Sequence, residues 1–170
     1  DDIAENDNNK GDLQATFLPH VGGGELRLLS TDVIINDTLW NLSENCRLDF
    51  NDKKIFFFYF DIYSKYQSVK VNGTYPKTIY DTLSVTFNNL DVSDFDILTS
   101  GIGLDIDGVI DGDLKISGIK DKFTLLSNLD VKNIGVNDHV IGNAFIDANW
   151  NEPDTSIHIN TEIIRDDINK

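Results

Sequence analysis

The chain is poor in basic residues, holds one cysteine and contains no methionine. Its 170 residues include 14 Lys and Arg against 29 Asp and Glu, a formal net charge of −15 at neutral pH. Such a charge repels phosphate backbones and anionic membrane surfaces, so nucleic acid is excluded as a partner. The lone Cys46 excludes an internal disulfide framework and any CxxC metal or redox site. The lack of Met, even at position 1, points to a segment of a larger protein. No apolar run reaches the roughly 20 residues that a membrane-spanning helix needs, and no signal peptide is present. Any anchor or export signal is therefore expected outside this sequence.

What is present is ordinary globular material. Hydrophobic residues make up 40% and charged residues 25%, which excludes wholesale disorder. The length suits one domain with a core, or one segment of something longer. Residues 1–12, polar and acidic, are expected to fray, leaving 13–170 as a single unit. Gly22, Gly23 and Gly24 follow Pro19 and read as a flexible joint. A nucleotide-binding loop needs a strand before such glycines and a helix after them, and neither is indicated.

From Glu25 onward, apolar and polar residues alternate in short runs with turn residues every 8 to 12 positions. Leu26 and Leu28 open the series, and Val33, Ile34 and Ile35 lead to an Asn36-Asp37 turn. In KIFFFYFDIY, residues 54–63, a period of two places Phe56, Phe58, Phe60 and Ile62 on one face. The other face is also apolar, with Ile55, Phe57 and Tyr59, so this strand is expected to be buried on both sides or covered by an apolar body. Val69 and Val71 alternate with Ser68 and Lys70 before Asn72-Gly73, which reads as a hairpin turn. Leu83, Val85 and Phe87 share a face. The habit continues with Leu104 and Ile106, Leu114 and Ile116, and Leu129 and Val131, then Ala144, Ile146, Ala148 and Trp150, and finally Ile157 and Ile159. The single helical candidate is Ser93–Thr99, capped by Ser93, with Phe95 and Leu98 facing inward. The chain is expected to be all-β with one or two short helical turns; a sandwich, a barrel and an extended sheet all fit that periodicity.

Signs of catalysis are few. Asp105, Asp107, Asp111 and Asp113, in LDIDGVIDGD, offer hard oxygen ligands and are the weak candidate for a calcium site. Their spacing fails the EF-hand loop, and strand alternation turns them to solvent instead. His20, His139 and His158 lie far apart, and none stands at metal-ligand spacing from another or from Cys46. No GxSxG elbow is present. Asn36, Asn41 and Asn72 begin N-x-S/T triplets, a weak sign of secretion. The sequence carries no enzyme signature and implies no cofactor.

Residues 86–134 carry a more specific pattern. Leu90, Val92, Ser93, Phe95 and Leu98 form a strand-end turn. Gly108, Gly112, Leu114, Ile116 and Gly118 form a glycine ladder, and Leu125, Leu129, Val131 and Asn133 a strand pair. Upstream stand Trp40, Phe50, Ile55, Phe57 and Phe60, then Gln67, Val69, Val71 and Gly73. In order and spacing, over about 145 residues, this resembles the TamB translocation-and-assembly family and the wider AsmA-like group of Gram-negative envelope proteins. Lys122 stands where that pattern usually has Pro, and Ser127 where it has Gly.

The resemblance implies an elongated, groove-shaped antiparallel sheet, a β-taco or open half-barrel, whose concave side is apolar. It implies a non-catalytic, periplasmic segment of an inner-membrane-anchored protein. By resemblance the groove carries phospholipid or other acyl-chain lipid toward the outer membrane, and the partner is an outer-membrane assembly protein of the Omp85 type. On this reading the lining is Phe56, Phe58, Phe60, Ile62, Val69 and Val71, with Leu83, Val85, Leu114, Ile116, Ile146 and Ala148. The glycines at 108, 112 and 118 are expected to let strands bend sharply. Two other readings are a secreted β-sandwich binding module, for glycans or adhesion, and a calcium-stabilised structural repeat. The first needs an aromatic platform, for which Trp40, Trp150 and Tyr80 are the candidates.

Overall fold

The computed structural model describes residues 10–29, 32–52, 54–75, 78, 80–95, 103, 105–118, 124–137, 139–151 and 156–165. The described chain is almost wholly strand. The order is Lys10–Gly11 (β1), Ala15–His20 (β2), Gly23–Leu28 (β3), Asp32–Ile35 (β4), Thr38–Leu42 (β5), Arg47–Asn51 (β6) and Ile55–Tyr63 (β7). It continues with Ser68–Thr74 (β8), Thr82–Asp91 (β9), Ile106–Ser117 (β10), Thr124–Val136 (β11), His139–Asn151 (β12) and Ser156–Ile164 (β13). All the strands belong to one antiparallel sheet, which does not close into a barrel. Among the described residues there is no second sheet.

From β7 to β13 the strands follow one another as a meander, each paired with its sequence neighbour. At β7 the sheet forks. The C-terminal end of β7 pairs β5 (Leu42 opposite Ile62), while its N-terminal end pairs β6 (Leu48 opposite Phe57). One branch runs on through β4 to β1, the other through β3 to β2. Where the branches diverge, Leu28, Leu42 and Cys46 form a small buried cluster, with Leu26, Phe60 and Ile62 against it.

A repeated device bends this sheet. Strands β7, β9 and β11 each carry one residue more than the strand that follows them, at register shifts beside Tyr59, Asn89 and Asn133. These three residues have positive φ (50°, 44° and 54°), and β-bulges of this kind kink a strand and increase its twist. Each bulge amide donates to an Asx side chain on the following strand: Tyr59 to Asn72 at 3.0 Å, Asn89 to Asp111 at 2.8 Å, Asn133 to Asn143 at 2.9 Å. A glycine adjoins each Asx residue. Gly112, at φ 133°, presses so close to β11 that a Cβ would stand 2.1 Å from the carbonyl oxygen of Asn128. Gly73 and Gly142 crowd the carbonyls of Thr82 and Ile164 in the same way. Bulge strand and Asx-Gly strand thus alternate across the meander.

Several local expectations change. Asn72-Gly73 is not a hairpin turn; it lies inside β8, where Asn72 caps the bulge of β7. Asn36-Asp37 does turn the chain, with φ of 47° and 62° between Ile35 and Thr38. Gly22 belongs to a two-residue hairpin between His20 and Gly23, and Gly23 and Gly24 lie within β3, so the triplet is not a joint. Lys10 and Gly11 pair with Ile34 and Val33, which ties down part of the stretch expected to fray. The helical turn is a 3-10 turn over Val92–Phe95, and its cap is Asp91, which accepts from the amide and hydroxyl of Ser93. Leu98 and Lys122 lie outside the described residues.

Candidate functional site

Residues directly opposite in an antiparallel pair share a face of the sheet. The register therefore traces one face across the meander. Ile62 and Phe60 of β7 stand opposite Val69 and Val71 of β8, which stand opposite Phe87 and Val85 of β9. Val85 and Leu83 face Leu114 and Ile116 of β10. Leu125 and Leu129 of β11 carry the stripe on, and Leu129 meets Ile146 of β12. Ala148 and Trp150 then face Ile159 and Ile157 of β13. Most of these side chains from β7 to β12 are only half-buried, as expected of an apolar surface covered by its own neighbours and not by a second layer.

Ten of the twelve expected lining residues lie on this face. Phe56 and Phe58 do not. The bulge at Tyr59 inserts a residue between Phe57 and Phe60, so Phe57 joins Phe60 and Ile62 while Phe56 and Phe58 turn to the opposite side. The rings agree: Phe57 and Phe60 meet edge to face at 6.2 Å, whereas Phe56 stacks on Phe58 at 6.0 Å. The Arg47 guanidinium lies 4.4 Å from the Phe58 ring centre on that second face. The expected lining left out Phe57, Leu90 and Ile134, which belong to the stripe, and also Phe87 and Val131, although alternation had set Phe87 beside Leu83 and Val85 and Val131 beside Leu129. Their signal is legible: Phe57-x-x-Phe60, Phe87-x-x-Leu90 and Val131-x-x-Ile134 are the same step of three, each spanning a bulge.

The other face carries the charged pairs, among the apolar side chains of Phe56, Phe58, Leu126 and Phe145. Lys70 lies 3.7 Å from Asp61, and Lys132 lies 3.5 Å from Asp111 and 3.9 Å from Asp130. Thr86 donates to Asp113 at 2.7 Å. The oxygens of Asp111 and Asp113 are thus engaged in bulge capping and cross-strand pairing, while Asp105 and Asp107 are exposed near Asn137 and Gly135. Among the described residues no group of three or more His, Cys, Asp or Glu is arranged to hold a metal ion. His20 lies 3.5 Å from Asp49, and His139 and His158 sit on β12 and β13.

The fork carries the buried polar groups. Asp94, at the 3-10 turn, accepts from the Thr38 hydroxyl at 2.8 Å and from the Gln67 amide at 2.5 Å. Trp40 packs on Phe95 at 5.5 Å and is 1% exposed, so it offers no ligand platform. Tyr80, by contrast, projects freely into solvent. Asp81 is buried and accepts from Lys54 Nζ at 2.6 Å and from the amide of Thr78 at 2.7 Å, closing the loop before β9. Cys46 lies at the edge of a cleft of about 490 Å³ whose lining includes Arg27, Glu44 and Tyr59. Burial, reinforced by the nearby Asp61 charge, pushes its thiol up to about 11. A thiol so raised is a poor nucleophile.

The arrangement defines a class: an open antiparallel sheet with one apolar and one charged face, curled by capped bulges. No family model, curated protein or solved structure matches the chain.

Proposed function

We propose that this chain is a non-catalytic lipid-binding segment whose apolar face takes acyl chains. The observation that carries the reading is the apolar stripe from Phe60 and Ile62 across to Ile146 and Ala148, interrupted on β11 by Ser127, on one side of a sheet that does not close. A closed core would hide such a stripe under a second layer; here the natural cover is a long apolar ligand. Moving a chain of about 16 carbons from water onto such a surface is worth on the order of 10 kcal/mol at about 0.8 kcal/mol per CH₂. Contacts of that kind need no head-group site. Asp61, Asp111, Asp113 and Asp130 lie on the opposite face, and the chain's net charge of −15 opposes association of copies through the apolar side.

The resemblance to TamB and the AsmA-like group supplies the biological frame of the proposal. In that frame the segment lies in the periplasm, belongs to an inner-membrane-anchored protein and passes phospholipid toward an outer-membrane assembly partner. The deciding experiment is native mass spectrometry of the purified chain, followed by solvent extraction. Phospholipid-mass adducts that solvent removes support the reading. A bare mass at 19.1 kDa after incubation with lipid vesicles sinks it.

A further inference from the structure

The cleft of about 490 Å³ at the fork gathers two of the three arginines in the chain. Arg27 of β3 and Arg47 of β6 stand directly opposite each other, and Arg47 stands opposite Phe58, so both lie on the side away from the apolar stripe. Like charges in that relation repel. Glu25 holds the pair in place: its carboxylate accepts from Arg27 Nε and lies 3.9 Å from Arg47 Nη1, with 15% of its side chain exposed. One carboxylate balances one guanidinium and leaves the other charge unmatched. The acids around it are otherwise placed. Asp49 lies 3.5 Å from His20, and Asp61 lies 3.7 Å from Lys70. Glu44 lines the cleft and is exposed, but among the described residues it forms no ion pair with either arginine. Arg47 Nε is buried with no hydrogen-bond partner among the described residues, so the donors of the pair are incompletely satisfied.

We propose that this cleft binds a small organic acid, whose carboxylate is received by Arg27 and Arg47 and whose apolar body rests against Leu28, Leu29 and Tyr59. A guanidinium presents parallel N–H donors that match the two oxygens of a carboxylate. The single unmatched positive charge suits a monoanion. Two leucines and a tyrosine beside the arginines favour an acid with a hydrocarbon body over inorganic phosphate. Glu44 is the one carboxylate of the lining, and its charge opposes the ligand's. The site lies on the opposite face from the proposed acyl surface, and it stands whether or not that surface takes lipid.

The test titrates the full chain with benzoate and with hexanoate, and follows the backbone amides of residues 27–29 and 44–47 by NMR. Both acids should give saturable shifts there. Benzamide has the same body without the charge, and inorganic phosphate has charge without the body. Each should bind at least about tenfold more weakly than benzoate. Arg27→Gln, at a side chain 54% exposed, should still fold and should weaken benzoate binding about tenfold or more, the scale of a charged hydrogen bond. Glu44→Gln removes the opposing charge and should tighten benzoate binding about two- to fivefold, the scale of an exposed ionic interaction. This second variant decides the matter if Arg27→Gln does not fold. No saturable shift with either acid overturns the proposal. So does phosphate that binds as tightly as benzoate, or benzoate binding that neither variant changes.

Discussion

The amide of Asn89 donates to Oδ1 of Asp111, 2.8 Å away on the neighbouring strand, where β9 carries one residue more than β10. This bond satisfies a donor that the bulge removes from the ladder, and it fixes where the extra residue sits. The same solution recurs with Tyr59 and Asn72, and with Asn133 and Asn143. Three capped bulges in alternate strands place three bends in a sheet that would otherwise only twist.

Removing one cap should therefore cost stability in a way that depends on the acceptor and not on the charge. Asp111→Ala should destabilise by about 1–2 kcal/mol, the usual range for an orphaned amide that water partly reaches. Asp111→Asn keeps an acceptor at the same place and should recover most of that loss, although it weakens the contact with Lys132. At the bulge itself, Asn89→Gly should be nearly neutral, and Asn89→Val should cost about 1–2 kcal/mol, because φ is 44°. Urea midpoints at constant m decide the matter. Equal losses for Asp111→Ala and Asp111→Asn would assign the effect to the lysine contact.

Cys46 makes a prediction about pH. Its thiol ionises at about 11 in the folded chain, against 9.0 when free, chiefly through burial and secondarily through Asp61. A raised folded value means that the native state holds its proton longer than the unfolded state does. The associated stability is fully present below pH 9 and is lost as pH rises toward 11, by at most about 2–3 kcal/mol. Tyrosines and lysines titrate in the same window, so the quantity to measure is the difference between the native chain and Cys46→Ser. That difference should shrink between pH 9 and 11. In the folded state the thiol should react with Ellman-type disulfides far more slowly than in urea.

Much of the fold was legible because alternation of period two is a direct image of a half-buried strand. Val69 and Val71, Leu83 and Val85, and Leu114 and Ile116 all lie on the face that the pattern assigned them. The reading failed where the period changes without a turn. In residues 55–62 every position but Asp61 is apolar or aromatic, so a slip of one residue leaves no polar side chain on the wrong face to betray it. The bulge at Tyr59 passed unseen, and Phe56 and Phe58 were assigned to the wrong side. Asn72-Gly73 misled for a related reason. Asparagine followed by glycine satisfies a hairpin turn, but it also satisfies a cap beside a crowded strand crossing, and only the pairing of β8 with both neighbours distinguishes them. The fork at β7 has no local signal at all, because it depends on which strands share one edge.

The two faces can be separated on a single strand. Val85 lies opposite both Val71 and Leu114, at the middle of the apolar stripe, while Thr86 points the other way and donates to Asp113. Val85→Arg and Thr86→Arg change the net charge equally and stand one residue apart. If the apolar face holds acyl chains, Val85→Arg should reduce lipid co-purification by tenfold or more, because a guanidinium then stands in the path of the chains. Thr86→Arg should load lipid normally, since its new charge pairs with Asp113. Phe58→Arg should also leave loading close to normal, because the bulge turns that position to the charged face; its cost should appear as reduced stability from repulsion with Arg47 directly opposite. Both Val85→Arg and Thr86→Arg should fold, because a half-buried site on an open face lets a long side chain reach water. Unfolding of Val85→Arg alone would instead mark the stripe as a closed core, and equal lipid loss in both variants would show that the two faces are not functionally distinct.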